Sequence, residues 1–252
     1  MTTTIAIAGK GGTGKTTVAA FLIELLADKG SVLAIDADPS SNLHMVLGLP
    51  LEETVGGVRE EMLTAVSTGS FGVGLSKQDW FDLRINEALV ESDRVDLLAM
   101  GRPEGPGCYC AANNILRVCI DRLAESYDYV VIDNEAGMEH ISRRTTRDVD
   151  ILIAVSDPTI RGVAAVGRIA DLVSELQTKV GRMGLVINRF NGKLSAPVEE
   201  AVRKLNVELL GVVPEDEGIL ECDATGKPLV SLPPESPARQ AVEAIARKLG
   251  LL

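Results

Sequence analysis

Short apolar runs alternate along this chain with longer stretches in which apolar residues recur three and four positions apart. The runs are Thr3–Ala8, Ser31–Ile35, Val95–Met100, Asp128–Asp133, Ile151–Val155, Met183–Asn188 and Leu209–Val213. Each is four to eight residues or so of apolar sequence bounded by glycine or polar residues, the pattern of a strand buried on both faces. The stretches Val18–Ala27, Asn113–Ser126, Gly162–Gln177, Pro197–Leu205 and Ser236–Leu249 carry helical spacing. Strand–helix alternation of this kind predicts an α/β fold, a mostly parallel sheet with helices on both faces. From 49 to 93 the rhythm loosens, and glycines and acidic residues interrupt the apolar positions. This part reads as an insertion of short helices and loops, pinned to the body by Trp80 and Phe81. No internal repeat or low-complexity linker is visible, so residues 1–252 read as a single domain.

Composition narrows the partners more than the fold. The net charge of −11 and the low aromatic content of 3% argue against a nucleic-acid surface, which is usually basic and supplied with stacking rings. A local basic patch is the only room left for one. No basic leader with an apolar core opens the sequence, and no run approaches the ~18 apolar residues of a membrane span. The expected location is the cytoplasm, with no membrane partner. Four cysteines in that compartment suggest thiols or metal ligands before disulfides.

The chemistry concentrates at Gly9–Thr17, GKGGTGKTT. Strand, glycine loop and helix in succession make a phosphate site: backbone N–H groups converge on the oxygens, and the helix N-terminus adds partial positive charge. Gly9, Gly11, Gly12, Thr13, Gly14 and Thr17 would line it. Lys15 is expected at the β- and γ-phosphates. Thr16 is expected on Mg²⁺, a hard ion that takes oxygen ligands. Asp36 and Asp38 close the second strand, where open α/β sheets bind ligands, with Asn42 a few residues on. Asp133 closes a later strand. Asn188 ends another, and its amide offers a donor and an acceptor suited to an adenine edge. Pro214 and Asp216 follow the last strand. No N-K-x-D string for guanine occurs, so ATP is the expected nucleotide.

Cys108 and Cys110 form a C-x-C among glycines and prolines. Two thiolates are half of a closed soft-metal site, and a two-fold dimer would supply the other half. Zn²⁺ and Ni²⁺ both suit four thiolates. Cys119 reads as a core residue within a helix, Cys222 as a loop residue without a local partner, and His44 and His140 as structural.

The second lysine of the loop, Lys10, makes it resemble the deviant P-loop of the nitrogenase iron protein, MinD and ParA ATPases. The resemblance implies that Lys10 crosses a dimer interface to the partner's nucleotide, where it would act as an arginine finger does. It also implies that Asp133 orders the Mg²⁺ shell, that Gly137 approaches the γ-phosphate, that Asp38 positions the attacking water, and that Asn188, Pro214 and Asp216 lie at the base. Together with GCYCAANNILR and DNEAGMEHISRR, the loop further resembles the CooC group, nickel-insertion ATPases of carbon monoxide dehydrogenase maturation, and their acetyl-CoA synthase counterpart. That likeness implies an ATP-dependent homodimer holding one Ni²⁺ or Zn²⁺ between two Cys108/Cys110 pairs, with a nickel enzyme as client. Where some members have M-G-A-G, this chain has Asn134-Glu135-Ala136-Gly137, which brings a carboxylate near the phosphates and leaves the client open. Two alternatives stand beside this reading. One is an iron–sulfur carrier like the nitrogenase iron protein, whose cluster cysteines are normally far apart in sequence. The other is a positioning ATPase of the MinD or ParA kind, which needs a membrane-seeking helix or a basic DNA surface.

Overall fold

Seven strands form one parallel sheet in the computed structural model, which describes residues 2–68, 77–101, 118, 121–135, 148–175 and 179–252. They are β1 (Thr3–Gly9), β2 (Val32–Asp36), β3 (Val95–Ala99), β4 (Tyr129–Asp133), β5 (Asp148–Ser156), β6 (Lys179–Phe190) and β7 (Glu208–Pro214), in the spatial order β3-β2-β4-β1-β5-β6-β7. The fold class read from the sequence is therefore the one observed. β4, the fourth strand in the chain, inserts between β2 and β1. Its register sets Asp133 opposite both Ile7 and Asp36, while Gly9 is level with Val155 of β5. The C-terminal ends of four strands thus lie along one edge, and all the carboxylates expected at the phosphates start from there.

Alternation within each strand decides which layer a side chain meets. Ile5, Ile7, Val131, Ile153 and Val186 point into the larger core, beneath α1 (Lys15–Ala27) and the closing helix Pro237–Leu249. Ala6, Ala8 and Leu152 point the other way, against Ile169 of the helix Ile160–Glu175. Leu33, Ile35, Leu98 and Ile132 meet the inserted helices α3 (Val55–Thr68) and α4 (Lys77–Glu87). Between α1 and α3 lies the short α2 (Leu43–Leu47). Further along the described residues come α5 (Ile160–Glu175), α6 (Ala196–Lys204), α7 (Glu217–Thr225) and α8 (Pro237–Leu249).

Helix α1 is buried nearly all round, because the sheet covers one side and α2, α8 and the 3₁₀ turn Leu229–Ser231 cover the others. Phe21, fully buried among these layers, is the largest such side chain among the described residues. Phe21→Ala should lower unfolding free energy by about 3–5 kcal/mol through lost burial and a residual cavity. Urea denaturation should show this as a lower midpoint at unchanged m-value.

The 49–93 segment is more regular than its sequence suggested, holding helices of 14 and 11 residues. Trp80 packs on the sheet layer as expected, whereas the Phe81 side chain lies outside the described part. Arg84 of α4 reaches Glu53 at 3.2 Å and Glu61 of α3 at 2.7 Å, and also pairs with Glu87. These partly exposed pairs orient the two helices more than they stabilise them. A second correction concerns Cys222. It is not in a loop: Asp216 caps α7, Gly226 ends it in a left-handed conformation, and the free thiol of Cys222 is buried inside that helix. The helix expected over 113–126 is described only at 118 and from 121, where 121–124 are helical.

Candidate functional site: a P-loop and its acidic edge

The loop after β1 folds as its glycines require. Gly14, at φ 84°, is left-handed and starts α1. A Cβ there would stand 2.1 Å from Nδ2 of Asn188, so glycine is needed both for conformation and for space. Thr13 is buried, and its Oγ1 donates to Lys10 O at 2.9 Å, closing the loop on itself. Gly9 is buried at the strand end, Gly11 and Gly12 are exposed, and Thr17 is half-buried in the first turn of α1.

Lys15 is buried at the head of α1. Burial lowers its pKa, and the charges of Asp133, Asp38 and Glu135 act against that shift. All three carboxylates therefore bear on one ammonium group. Thr16 Oγ1 donates to Asp133 Oδ2 at 2.6 Å. Asp133 is 2% exposed, and its other oxygen, Oδ1, has no partner among the described residues. Burial pushes its pKa up to about 6, against the hydrogen bond from Thr16 and the charge of Lys15. A buried carboxylate oxygen lacking a donor, beside a threonine hydroxyl and further acidic groups, is a hard-oxygen set short of positive charge. Mg²⁺ fits that set, with Thr16 and Asp133 as the protein groups that would hold it.

Asp36 lies level with Asp133 on the neighbouring strand. Its Oδ1 accepts from Asp38 N at 3.0 Å and its Oδ2 from Leu43 N at 2.8 Å. Burial is the main reason its pKa rises to about 7. These bonds fasten the loop that carries Asp38. Asp38 itself is half-buried, with Oδ1 accepting from Ser40 N at 2.8 Å. Asn42 is exposed at the head of α2 and caps it with no side-chain bond. His44 lies with Nδ1 2.6 Å from Ser41 O, a local structural contact.

The two loops expected at the base are neighbours, since Pro214 pairs with Phe190 and Glu215 N donates to Phe190 O. Their side chains have additional tasks that sequence reasoning missed. Asn188 is buried and donates from Nδ2 to Thr13 O at 2.8 Å, so it braces the phosphate loop. Asp216 accepts from Gly218 N with Oδ1, and from Ser236 Oγ and Ala238 N with Oδ2. Its carboxylate caps α7 and the start of α8. Asn134 was also missed: it is buried, with both its backbone N and its Nδ2 donating to Ile7 O. Only its place beside the aspartate hinted at it.

Lys10 is exposed on the loop. Gly137, His140, Cys108, Cys110 and Cys119 lie outside the described residues. Among the described residues no three His, Cys, Asp or Glu side chains are grouped to hold a metal.

The fold and the loop together define a P-loop nucleotide-binding ATPase, with Mg²⁺ expected beside the nucleotide. The family description "CobQ/CobB/MinD/ParA nucleotide binding domain" matches residues 4–229, and the chain belongs to that family. An uncharacterized ATP-binding protein of Methanocaldococcus jannaschii is 44% identical over 97% of both chains. The carbon monoxide dehydrogenase accessory protein CooC of Rhodospirillum rubrum is 32% identical, over 91% of this chain and 90% of its own. Among solved structures, the septum site-determining protein MinD of Pyrococcus horikoshii, complexed with Mg-ADP, superposes with a TM-score of 0.73 at 26% identity, covering 99% of this chain and 96% of that one.

Proposed function

We propose that this ATPase is a metallochaperone that dimerises on ATP and delivers nickel to a carbon monoxide dehydrogenase or acetyl-CoA synthase. The observation that carries the reading is the C-x-C of Cys108 and Cys110 in a chain that is similar to CooC over nine-tenths of its length. In this reading the metal is cargo. Two chains would contribute two thiolates each, and the same two-fold arrangement would bring Lys10 of one protomer to the nucleotide of the other. Thr16 and Asp133 would hold Mg²⁺, Lys15 would meet the β- and γ-phosphates, and Asp38 would orient water. The amide of Gly137 would approach the γ-phosphate. Asn188, together with the backbone of the Pro214 loop, would border the base.

A positioning role of the MinD kind is the main competitor, given a Bacillus subtilis MinD 29% identical over 96% of this chain. That role would use a surface that seeks membrane or DNA. Helix α8 has its apolar residues Val242, Ile245, Ala246 and Leu249 buried in the core. None of the helices among the described residues is long and apolar enough to cross a membrane. The acidic net charge does not favour DNA. The iron–sulfur alternative gains no support from a C-x-C alone.

Equilibrium dialysis against Ni²⁺ and Zn²⁺ under anaerobic conditions tests the proposal. One metal should bind per two chains, and affinity should fall at low pH because thiolates must shed protons to coordinate. Cys108→Ser/Cys110→Ser should lose the site, while Cys222→Ser keeps it. Unchanged affinity and stoichiometry in the double variant would end the metallochaperone reading.

A further inference from the structure

The loop between β2 and α2 carries Asp38, and it is tied at its far end to β3. Asp38 O accepts from Ser41 N at 2.9 Å, so the two residues close one turn. Ser41 is 8% exposed and has a φ of 46°, a conformation uncommon outside glycine and held only when surroundings impose it. What imposes it is visible. Ser41 Oγ accepts from Gly101 N at 3.1 Å, and Ser41 O is held by His44 Nδ1.

Gly101 is equally constrained. Its φ is +66°, and a Cβ would stand 2.2 Å from Thr54 Oγ1. Thr54 in turn caps α3, accepting from Gly57 N. Met100, the residue before, donates to Asp36 O at 2.8 Å and accepts from Gly56 N at 2.7 Å. The turn that holds Asp38, the end of β3 and the start of α3 therefore meet at one buried junction. Gly101 is also where the chain leaves β3, and Cys108 follows seven residues later in the sequence.

We propose that the Ser41 hydroxyl is a positioning group that couples the nucleotide site to the strand end from which the C-x-C segment departs. Asp38 feels the phosphate site electrostatically, since its charge bears on both Lys15 and Asp133. Arrival of an anionic γ-phosphate with its cation changes the field at Asp38. The Asp38–Ser41 turn transmits the resulting shift to the Gly101 amide. Ser41 touches neither nucleotide nor metal in this scheme. It works by making one movement of two segments, and any coupling of this kind must be reciprocal.

Two measurements test it, and only the second rests on the metallochaperone reading. The first is hydrogen exchange of the 95–101 amides with and without Mg-ATPγS. In the parent chain the nucleotide should slow exchange at Gly101 by at least about fivefold, the lower end of ordinary coupling. Ser41→Ala removes the acceptor. Ser41→Gly removes it too but accommodates the positive φ, so it guards against a folding defect. Both variants should bind ATPγS as the parent does, while the nucleotide effect on Gly101 falls below about twofold. The second is Ni²⁺ affinity with and without ATPγS, where the nucleotide-dependent change should likewise vanish in both variants. An exchange response retained in Ser41→Ala and Ser41→Gly, or absent from the parent, overturns the coupling. A parent that shows the exchange response but binds no Ni²⁺ defeats the metal reading and leaves the coupling standing.

Discussion

Lys15→Ala abolishes ATP binding: isothermal titration should detect no heat of binding at concentrations that saturate the parent. The lysine is buried at the head of α1 in a field of three carboxylates. Two of them, Asp133 and Asp38, extend from the same strand edge that receives the phosphates. Without the ammonium group, polyphosphate would enter a site whose remaining side-chain charges are negative. Charge-assisted hydrogen bonds contribute about twice what neutral ones do, and a buried site amplifies both attraction and repulsion. Lys15→Arg keeps the charge but not the compact shape, at a position that is only 7% exposed. It should recover little. Wild-type affinity in Lys15→Ala would remove the phosphate-site assignment altogether.

Lys10→Ala produces the opposite split. ATP affinity of the separated protomer stays near the parental value, while ATP-dependent dimerisation and most hydrolysis are lost. The two lysines differ in their surroundings, which is why their variants should differ. Lys15 is buried among acids, whereas Lys10 is exposed and projects from a loop braced independently by Thr13 and Asn188. Removing its side chain should leave that loop intact. A cation supplied across an interface to a transferring phosphoryl group is worth roughly 10³- to 10⁵-fold in turnover, or about 4–7 kcal/mol of barrier. Analytical ultracentrifugation with ATPγS and a phosphate-release assay read the two losses separately. Normal dimerisation with parental hydrolysis would exclude action across an interface.

The placement of Lys15 at the head of α1 and the Thr16–Asp133 pair were legible in the sequence because each is fixed by local context. A glycine string between a strand and a helix dictates where Lys15 and Thr16 go. An aspartate ending an apolar strand needs only a neighbouring position in the sheet to reach Thr16. The order of the strands was not legible. Nothing local tells β4 to enter between β2 and β1, and that placement alone sets Asp36 and Asp133 side by side. The capping bonds that sequence reasoning missed share a cause. Asp36 and Asp216 both look like ligand carboxylates at strand ends, but tertiary structure surrounds each with backbone amides. Capping and ligation use the same residue types, so only the fold separates them. The Cys222 helix could have been found from Asp216 before it and Gly226 after it, the ordinary stop and start signals. The Ser41–Gly101 bond could not, because it joins residues 60 positions apart with no motif around either.

The amide of Asn188 sits where a side chain on Gly14 would have to be, and it donates to the carbonyl of Thr13. The residue proposed to border the base is thus also a strut of the loop that follows β1. A protein engineer wishing to retarget this ATPase to another nucleobase could not treat the two halves of the ligand as separate problems. Any replacement at 188 that discards the amide would loosen the grip on every nucleotide alike, and one that grows beyond it would collide with Gly14. With Asn188 at the base, as proposed, base preference would be coupled to phosphate binding through one side chain, and a change of specificity would have to begin elsewhere, in the loop that starts at Pro214.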